Sequence, residues 1–167
     1  MTDDQIIDGI IEREGGYNDV SGDQPTNFGI RLDTLSAWRG HPCTADDVKN
    51  LTRDEARLIY RSEYLARTGI QRIVDAGVRA AVLDAAVQHG PDDGIKIFQR
   101  ALGVRDDGVI GPVTLAALPH LDQRRLAMRV LAEDFRFYGA LITRLPQKAK
   151  FAAGWMDRKA DMLEALL

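Results

Sequence analysis

The chain has 167 residues, 45% of them hydrophobic, with 22 Lys and Arg against 25 Asp and Glu for a formal charge of -3 at pH 7. That length suits one domain with a substantial hydrophobic core, and the near-neutral balance argues neither for nor against an anionic polymer as partner. The single cysteine, Cys43, excludes an internal disulfide, so packing must hold the fold together.

Ile6, Ile7, Ile10 and Ile11 recur at the i, i+3, i+4 spacing of one buried face. They predict a first helix from about Asp3, a candidate N-cap, to Glu14. Position 14 is the next member of that series, and it is a carboxylate followed by Gly15-Gly16-Tyr17, which ends the helix. Glu14 is therefore expected to project from the buried side at the helix C-terminus. Partial burial and the negative end of the helix dipole both disfavour its charge, so its pKa is expected to rise. A carboxylic acid kept protonated near neutrality is what a glycosidase needs to protonate a leaving oxygen. The plainer alternative is a partly exposed residue paired with an arginine.

The segment from Tyr17 to Ile30 is polar and glycine-bearing and has no helical or strand period. It reads as a structured loop or short hairpin. Asp19, Asp23 and Thr26 lie on it and are candidates for holding and activating water opposite the acid. The two aspartates could equally be turn residues that cap their own backbone.

A short helix is expected near 31–38, where Leu32, Leu35 and Trp38 share a face, and Thr44-Ala45-Asp46-Asp47 opens another short turn. Thr52-Arg53-Asp54-Glu55 has the form of a capping box, and its helix should reach about Tyr64. The apolar stretch Val78 to Val87 reads as a central buried helix ended by Gly90. Pro91 opens the next helix at its first turn, carrying Ile95, Phe98 and Leu102, and Gly103 closes it. Residues 104–111 form a tight loop. Helices then start at Pro112, run from Asp122 to about Thr143, and run from Pro146 to the end. The fold class is mainly α, with at most a small hairpin near the loop that follows Glu14.

Several blocks resemble glycoside hydrolase family 108, lysozyme-like N-acetylmuramidases frequent among phage and prophage endolysins. They are Glu14-Gly15-Gly16-Tyr17, Asn18-Asp19 and Thr26-Asn27-Phe28-Gly29-Ile30. Leu51 to Ala56 with Ile59, Tyr60 and Tyr64 is similar to a second block of the family, and Asp84 to Gly90 to a third. Phe98 to Gly103, leading to Asp107-Gly108-Val109-Ile110-Gly111-Pro112 and Thr114-Leu115, resembles the family's peptidoglycan-binding-type unit. In this chain the loop from Asn18 to Pro25 is short, Gln88 stands where the family more often has Asn, and Leu65 follows Tyr64 where a Trp is common.

The resemblance implies a lysozyme-like catalytic region over 1–90 and a peptidoglycan-binding-like helical region over 91–167, packed on the same core as one compact domain. It implies Glu14 as general acid for the β-1,4 bond between N-acetylmuramic acid and N-acetylglucosamine, with Asp19, Asp23 or Thr26 positioning water. Tyr17, Asn27, Tyr64, Asp84, Gln88 and His89 are the expected substrate contacts. Amides suit sugar hydroxyls and N-acetyl groups, and rings such as Tyr17, Phe28, Tyr60, Tyr64 and Trp155 can stack on pyranose faces, with core packing the alternative for each ring. Asp84 and Gln88 share one helix side at i, i+4, and ordinary helix-end hydrogen bonding is the alternative for them and for His89.

No metal and no cofactor are expected: His41 and Cys43 lack further ligands, and there is no glycine-rich phosphate loop. The expected partner is the peptidoglycan polysaccharide, with no nucleic acid, no integral membrane segment and a monomeric state. Residues 121–160 carry nine Lys and Arg against four acids, which could form a basic face for an anionic wall or simply a solvated helix surface. Met1-Thr2-Asp3-Asp4 is acidic, and no secretory signal is expected. The enzyme would accumulate in the host bacterial cytoplasm before release to the periplasm and wall. Two other readings remain: a lytic transglycosylase using the same acid, and a non-catalytic peptidoglycan-binding or secretion-associated protein.

Overall fold

The computed structural model describes residues 1–19 and 24–166, and the chain divides into two compact units, Met1–Glu63 and Tyr64–Leu167. Among the described residues the architecture is mainly α, with one two-stranded antiparallel sheet.

In the first unit, α1 spans Asp3–Glu14 and buries Ile6, Ile7, Ile10 and Ile11. Its N-cap is Thr2 rather than Asp3. The Thr2 hydroxyl accepts from Gln5 N, and the Gln5 amide oxygen accepts from Thr2 N at 2.8 Å. That reciprocal box satisfies two helix-end donors at once. The strands β1 (Thr26–Asn27) and β2 (Ile30–Arg31) form the small hairpin, with Thr26 opposite Arg31 and Asn27 opposite Ile30. Three short helices follow: α2 (Leu32–Arg39), α3 (Ala45–Lys49) and α4 (Arg53–Ile59).

Polar clamps set how these helices meet. Arg57 Nε donates to Asp8 Oδ1 at 2.7 Å, and Arg53 reaches both Asp8 and Glu12, lacing the outer side of α1 to α4. The hydrogen bond from Arg57 is the main reason the Asp8 carboxyl lies below its ordinary range; partial desolvation works against it. Such part-exposed pairs each contribute little stability, about 0–1 kcal/mol, but they fix orientation. Thr52 does cap α4 through Glu55 N, yet Glu55 does not return the favour. Its carboxylate is held by the Arg39 guanidinium in a two-pronged pair at 2.9 and 2.8 Å. A charge-assisted fork outcompetes a neutral backbone N–H. The α-helix also stops at Ile59: the turns from Tyr60 to Ala66 are π-helical, so the expected continuous helix to Tyr64 changes its winding at Tyr60.

In the second unit α5 (Ala76–His89), α6 (Pro91–Leu102) and α8 (Gln123–Arg144) pack on one another, with α7 (Pro112–Ala117) and α9 (Ala152–Glu164) beside them. Short 3-10 turns occupy Ile70–Arg72, Leu118–His120 and Pro146–Phe151, so the last expected helix begins as a 3-10 turn. The α5–α6 crossing is close because Gly94 has no side chain. A Cβ there would lie 2.4 Å from the Ala86 backbone. Gln99, 1% exposed, staples the 104–111 loop: its amide nitrogen donates to Asp107 Oδ1 at 2.8 Å, and its oxygen accepts from Gly108 N at 2.8 Å.

A chain of charged and polar side chains runs through the interior of this unit. Asp84 has no exposed surface, and its oxygens lie 2.6 Å from Arg158 Nη2 and 2.6 Å from Lys159 Nζ. Lys159 Nζ also lies 2.6 Å from Asp134 Oδ2, and His89 Nε2 lies 2.6 Å from Asp134 Oδ1. Burial by itself would push the Asp84 carboxyl up, but the Lys159 and Arg158 charges and hydrogen bonds win and hold it down to about 2. Arg158 and Lys159 are therefore spent inside the unit and do not belong to a basic surface. No helix among the described residues is long and apolar enough to cross a membrane.

Candidate active site

Glu14 is the last residue of α1 and is half-buried. Gly15 follows with φ +76, and its N–H returns to Ile11 O at 3.1 Å, which ends the helix and turns the chain away. The backbone then extends through Asn18, which pairs with Thr26 by two hydrogen bonds, Asn18 N to Thr26 O at 2.8 Å and Thr26 N to Asn18 O at 2.9 Å. Tyr17 and Asp19, on either side of Asn18, are thereby fixed beside β1. The Tyr17 hydroxyl donates to Asp19 Oδ2 at 3.3 Å. Desolvation, then the Asp19 charge and that hydrogen bond, hold the Tyr17 phenol above its ordinary value. It stays a donor, and Asp19 remains an exposed acceptor.

The hairpin closes back on Glu14. Phe28 and Gly29 link Asn27 to Ile30, and both have positive φ, 53 and 76. A two-residue hairpin turn of type I′ requires that pair of conformations. At Phe28 the left-handed backbone carries a cost of about 1–2 kcal/mol. The Tyr60 hydroxyl, from a side chain with no exposed surface, donates to Phe28 O at 2.9 Å and holds the turn. Gly29 is the point of closest approach: a Cβ there would lie 2.5 Å from Tyr60 Oη, 2.7 Å from Glu14 Cγ and 3.1 Å from Glu14 Cβ. The acid's stem thus rests on the bare Cα of the turn, with a tyrosine hydroxyl against the same spot. Glu14, Tyr17, Asp19 and Thr26 therefore share one small assembly at the end of α1. Asp23 lies outside the described residues.

The other expected contacts have different occupations. Asn27 is 5% exposed, and its amide nitrogen donates to Val48 O at 3.0 Å and Lys49 O at 3.1 Å, so it ties β1 to the last carbonyls of α3 instead of reaching for a sugar. Asp84 is enclosed in the ion chain described above, and the His89 side chain is only 3% exposed, paired with Asp134 and lying against the rings of Phe137 and Tyr138. Removing such a carboxylate from its two cations to meet a hydroxyl would leave buried charges unpaired. Gln88 accepts from the Tyr138 hydroxyl at 3.2 Å. Tyr64 is half-buried on the π-helical segment. Trp155 stacks on Tyr138 with ring centroids 4.6 Å apart, and Tyr60 is enclosed, so core packing accounts for both rings. The Tyr60–Gly29–Glu14 junction is what sequence reading missed. Asn27-Phe28-Gly29-Ile30 signals a tight turn, but nothing in it announces a partner 32 residues later.

Comparison with known families gives two matches: "Glycosyl hydrolase 108" over residues 7–90 and "Predicted Peptidoglycan domain" over residues 93–160. A solved structure, "Structure of Brucella abortus SagA", matches with a TM-score of 0.85 and 33% identity, covering 98% of this chain and 92% of that one. A search of curated proteins finds no match. Fold and families define a lysozyme-like, mainly α glycoside hydrolase that degrades peptidoglycan. The chain belongs to glycosyl hydrolase family 108 and carries the peptidoglycan unit in its C-terminal part. The two matched stretches meet between residues 90 and 93, whereas packing divides the chain after Glu63. Helix α5 explains the offset: it falls in the first stretch by sequence but packs on α6 and α8.

Proposed function

We propose that this enzyme is an N-acetylmuramidase of lysozyme type, with Glu14 as the general acid. Glu14 donates its proton to the glycosidic oxygen between N-acetylmuramic acid and N-acetylglucosamine, and positive charge develops at the anomeric carbon. Water attacks from the side served by Asp19 or Thr26, with Asp23 a further candidate for that role. The observation that carries this reading is the junction at Gly29, where a half-buried acid is held against a braced hairpin turn, with Thr26 in the bridge to Asn18 and Asp19 next to it in the chain. Tyr17 is the ring proposed to meet the sugar beside Glu14, and Tyr64 is a separate candidate contact in the second unit. The enzyme, endolysin-like, acts on the wall after release from the cytoplasm.

Glu14→Gln tests the assignment. It keeps the shape and removes the proton, so clearing of purified peptidoglycan should fall about 10²–10⁴-fold with an unchanged circular dichroism spectrum. A variant that still cleared walls at a tenth of the parent rate would sink the assignment. Mass spectrometry of the released muropeptides separates hydrolysis, which leaves a reducing end, from transglycosylation, which leaves an anhydromuramic end. The distance between the two carboxyl groups, about 5–5.5 Å or 6.5–9.5 Å, governs retention or inversion.

A further inference from the structure

The second unit contains a concavity of about 350 Å³ lined by His120, Leu121, Asp122, Arg125, Leu126 and Arg129. Arg125 and Arg129 stand one turn apart on α8, both exposed. Like charges at i, i+4 on a helix repel one another. Elsewhere arginines meet carboxylates: Arg39, Arg53, Arg57, Arg100, Arg136 and Arg158 are all paired. Among the described residues no carboxylate pairs with the guanidinium of Arg125 or Arg129. Asp122, the one acid on the rim, is committed to the backbone, where its Oδ1 accepts from Arg125 N at 2.7 Å. The wall is held in place by Gln123, whose amide nitrogen donates to Leu118 O and Leu121 O, each at 2.8 Å. Buried Leu126 and half-buried Leu121 supply an apolar surface beneath the charges.

A planar fork of N–H donors matches a carboxylate in two-pronged geometry, and the leucines suit a small alkyl group beside it. We propose that this cavity binds the free carboxylate of a peptidoglycan stem peptide, gripped by Arg125 and Arg129 over Leu121 and Leu126. The proposal rests on peptidoglycan being the substrate, but it does not rest on Glu14. It gives the C-terminal unit a means of favouring peptide-bearing wall over bare glycan. Phosphate shares the charge chemistry but lacks the alkyl part, so it should bind more weakly than the peptide.

The test is a calorimetric titration of the full chain with three probes: a soluble stem tripeptide with free carboxylates, the same peptide with its carboxylates amidated, and inorganic phosphate. The free peptide should bind, and Arg125→Gln with Arg129→Gln should weaken it about tenfold or more, since each substitution removes a charge-assisted bond to the carboxylate. Amidation should do the same. Equal affinity of parent and double variant, equal binding of free and amidated peptide, or phosphate binding as tightly as peptide would each overturn the proposal. Both arginines are exposed, so the variant should fold. Kinetics separate this site from the acid: on peptide-bearing sacculi the double variant should raise KM with kcat kept, and on peptide-stripped glycan it should match the parent. Loss of activity on both substrates in the parent itself would count against the hydrolase reading and leave the titration result standing.

Discussion

Replacing Gly29 by alanine puts a methyl carbon where three atoms already converge. Its Cβ would stand 2.5 Å from Tyr60 Oη, 2.7 Å from Glu14 Cγ and 3.1 Å from Glu14 Cβ. Tyr60 has no exposed surface and is bonded to Phe28 O, so it yields only with the core around it. The Glu14 stem is freer and should move first, taking the carboxyl away from its place. Two costs add. The left-handed backbone charges any residue with a side chain about 1–2 kcal/mol, and overpacking costs about 1–3 kcal/mol more. The sum, about 2–5 kcal/mol, corresponds to a fall in Tm of roughly 5–15 °C for a chain of this size. Gly40→Ala is the control, because Gly40 is also left-handed, φ +74, with nothing within 4 Å of its would-be Cβ. It should lose only the backbone part. Scanning calorimetry of both variants, with wall clearing measured well below either Tm, reads the difference. If the two substitutions lowered Tm equally and Gly29→Ala kept full activity, the crowding argument would be refuted.

Tyr60→Phe should cost about 1–2 kcal/mol in urea unfolding, because it strips Phe28 O of its donor, and should lower kcat more than it changes KM. Gly94→Ala sets about 1 kcal/mol of gained helix propensity against a Cβ 2.4 Å from the Ala86 backbone. The collision should win, with a net loss of about 1–2 kcal/mol in the same assay. Asp84 gives a pH signature. Its carboxyl is held at about 2 in the folded chain against about 3.9 when unfolded, so the unfolded state binds the proton more readily and stability falls as the pH is lowered. About 2–3 kcal/mol present above pH 5 should be lost as pH drops from about 4 towards 2. Urea midpoints at pH 7, 4 and 2.5 measure it. Asp84→Asn should abolish that component and cost about 3–5 kcal/mol at pH 7, because it removes the negative charge that Lys159 and Arg158 share.

The isoleucine stripe of α1, the glycines after Glu14 and Gly103, and the prolines at 91 and 112 are local signals. Each acts within one or two turns, so the sequence alone placed the helices, the small hairpin and the acid at the end of the first helix. Hydrogen-bond competition is not local. Glu55 had the spacing of a capping box and went to Arg39 instead. Asp84, Gln88 and His89 had the look of a sugar-binding helix end, but residues 45 to 75 positions away claimed them. A lone sequence does not reveal which polar group is buried, and burial decides whether a carboxylate meets solvent or a cation. Only tertiary structure brought Tyr60 and Gly29 against Glu14, because a side chain's reach spans the fold while its sequence signature spans a few residues.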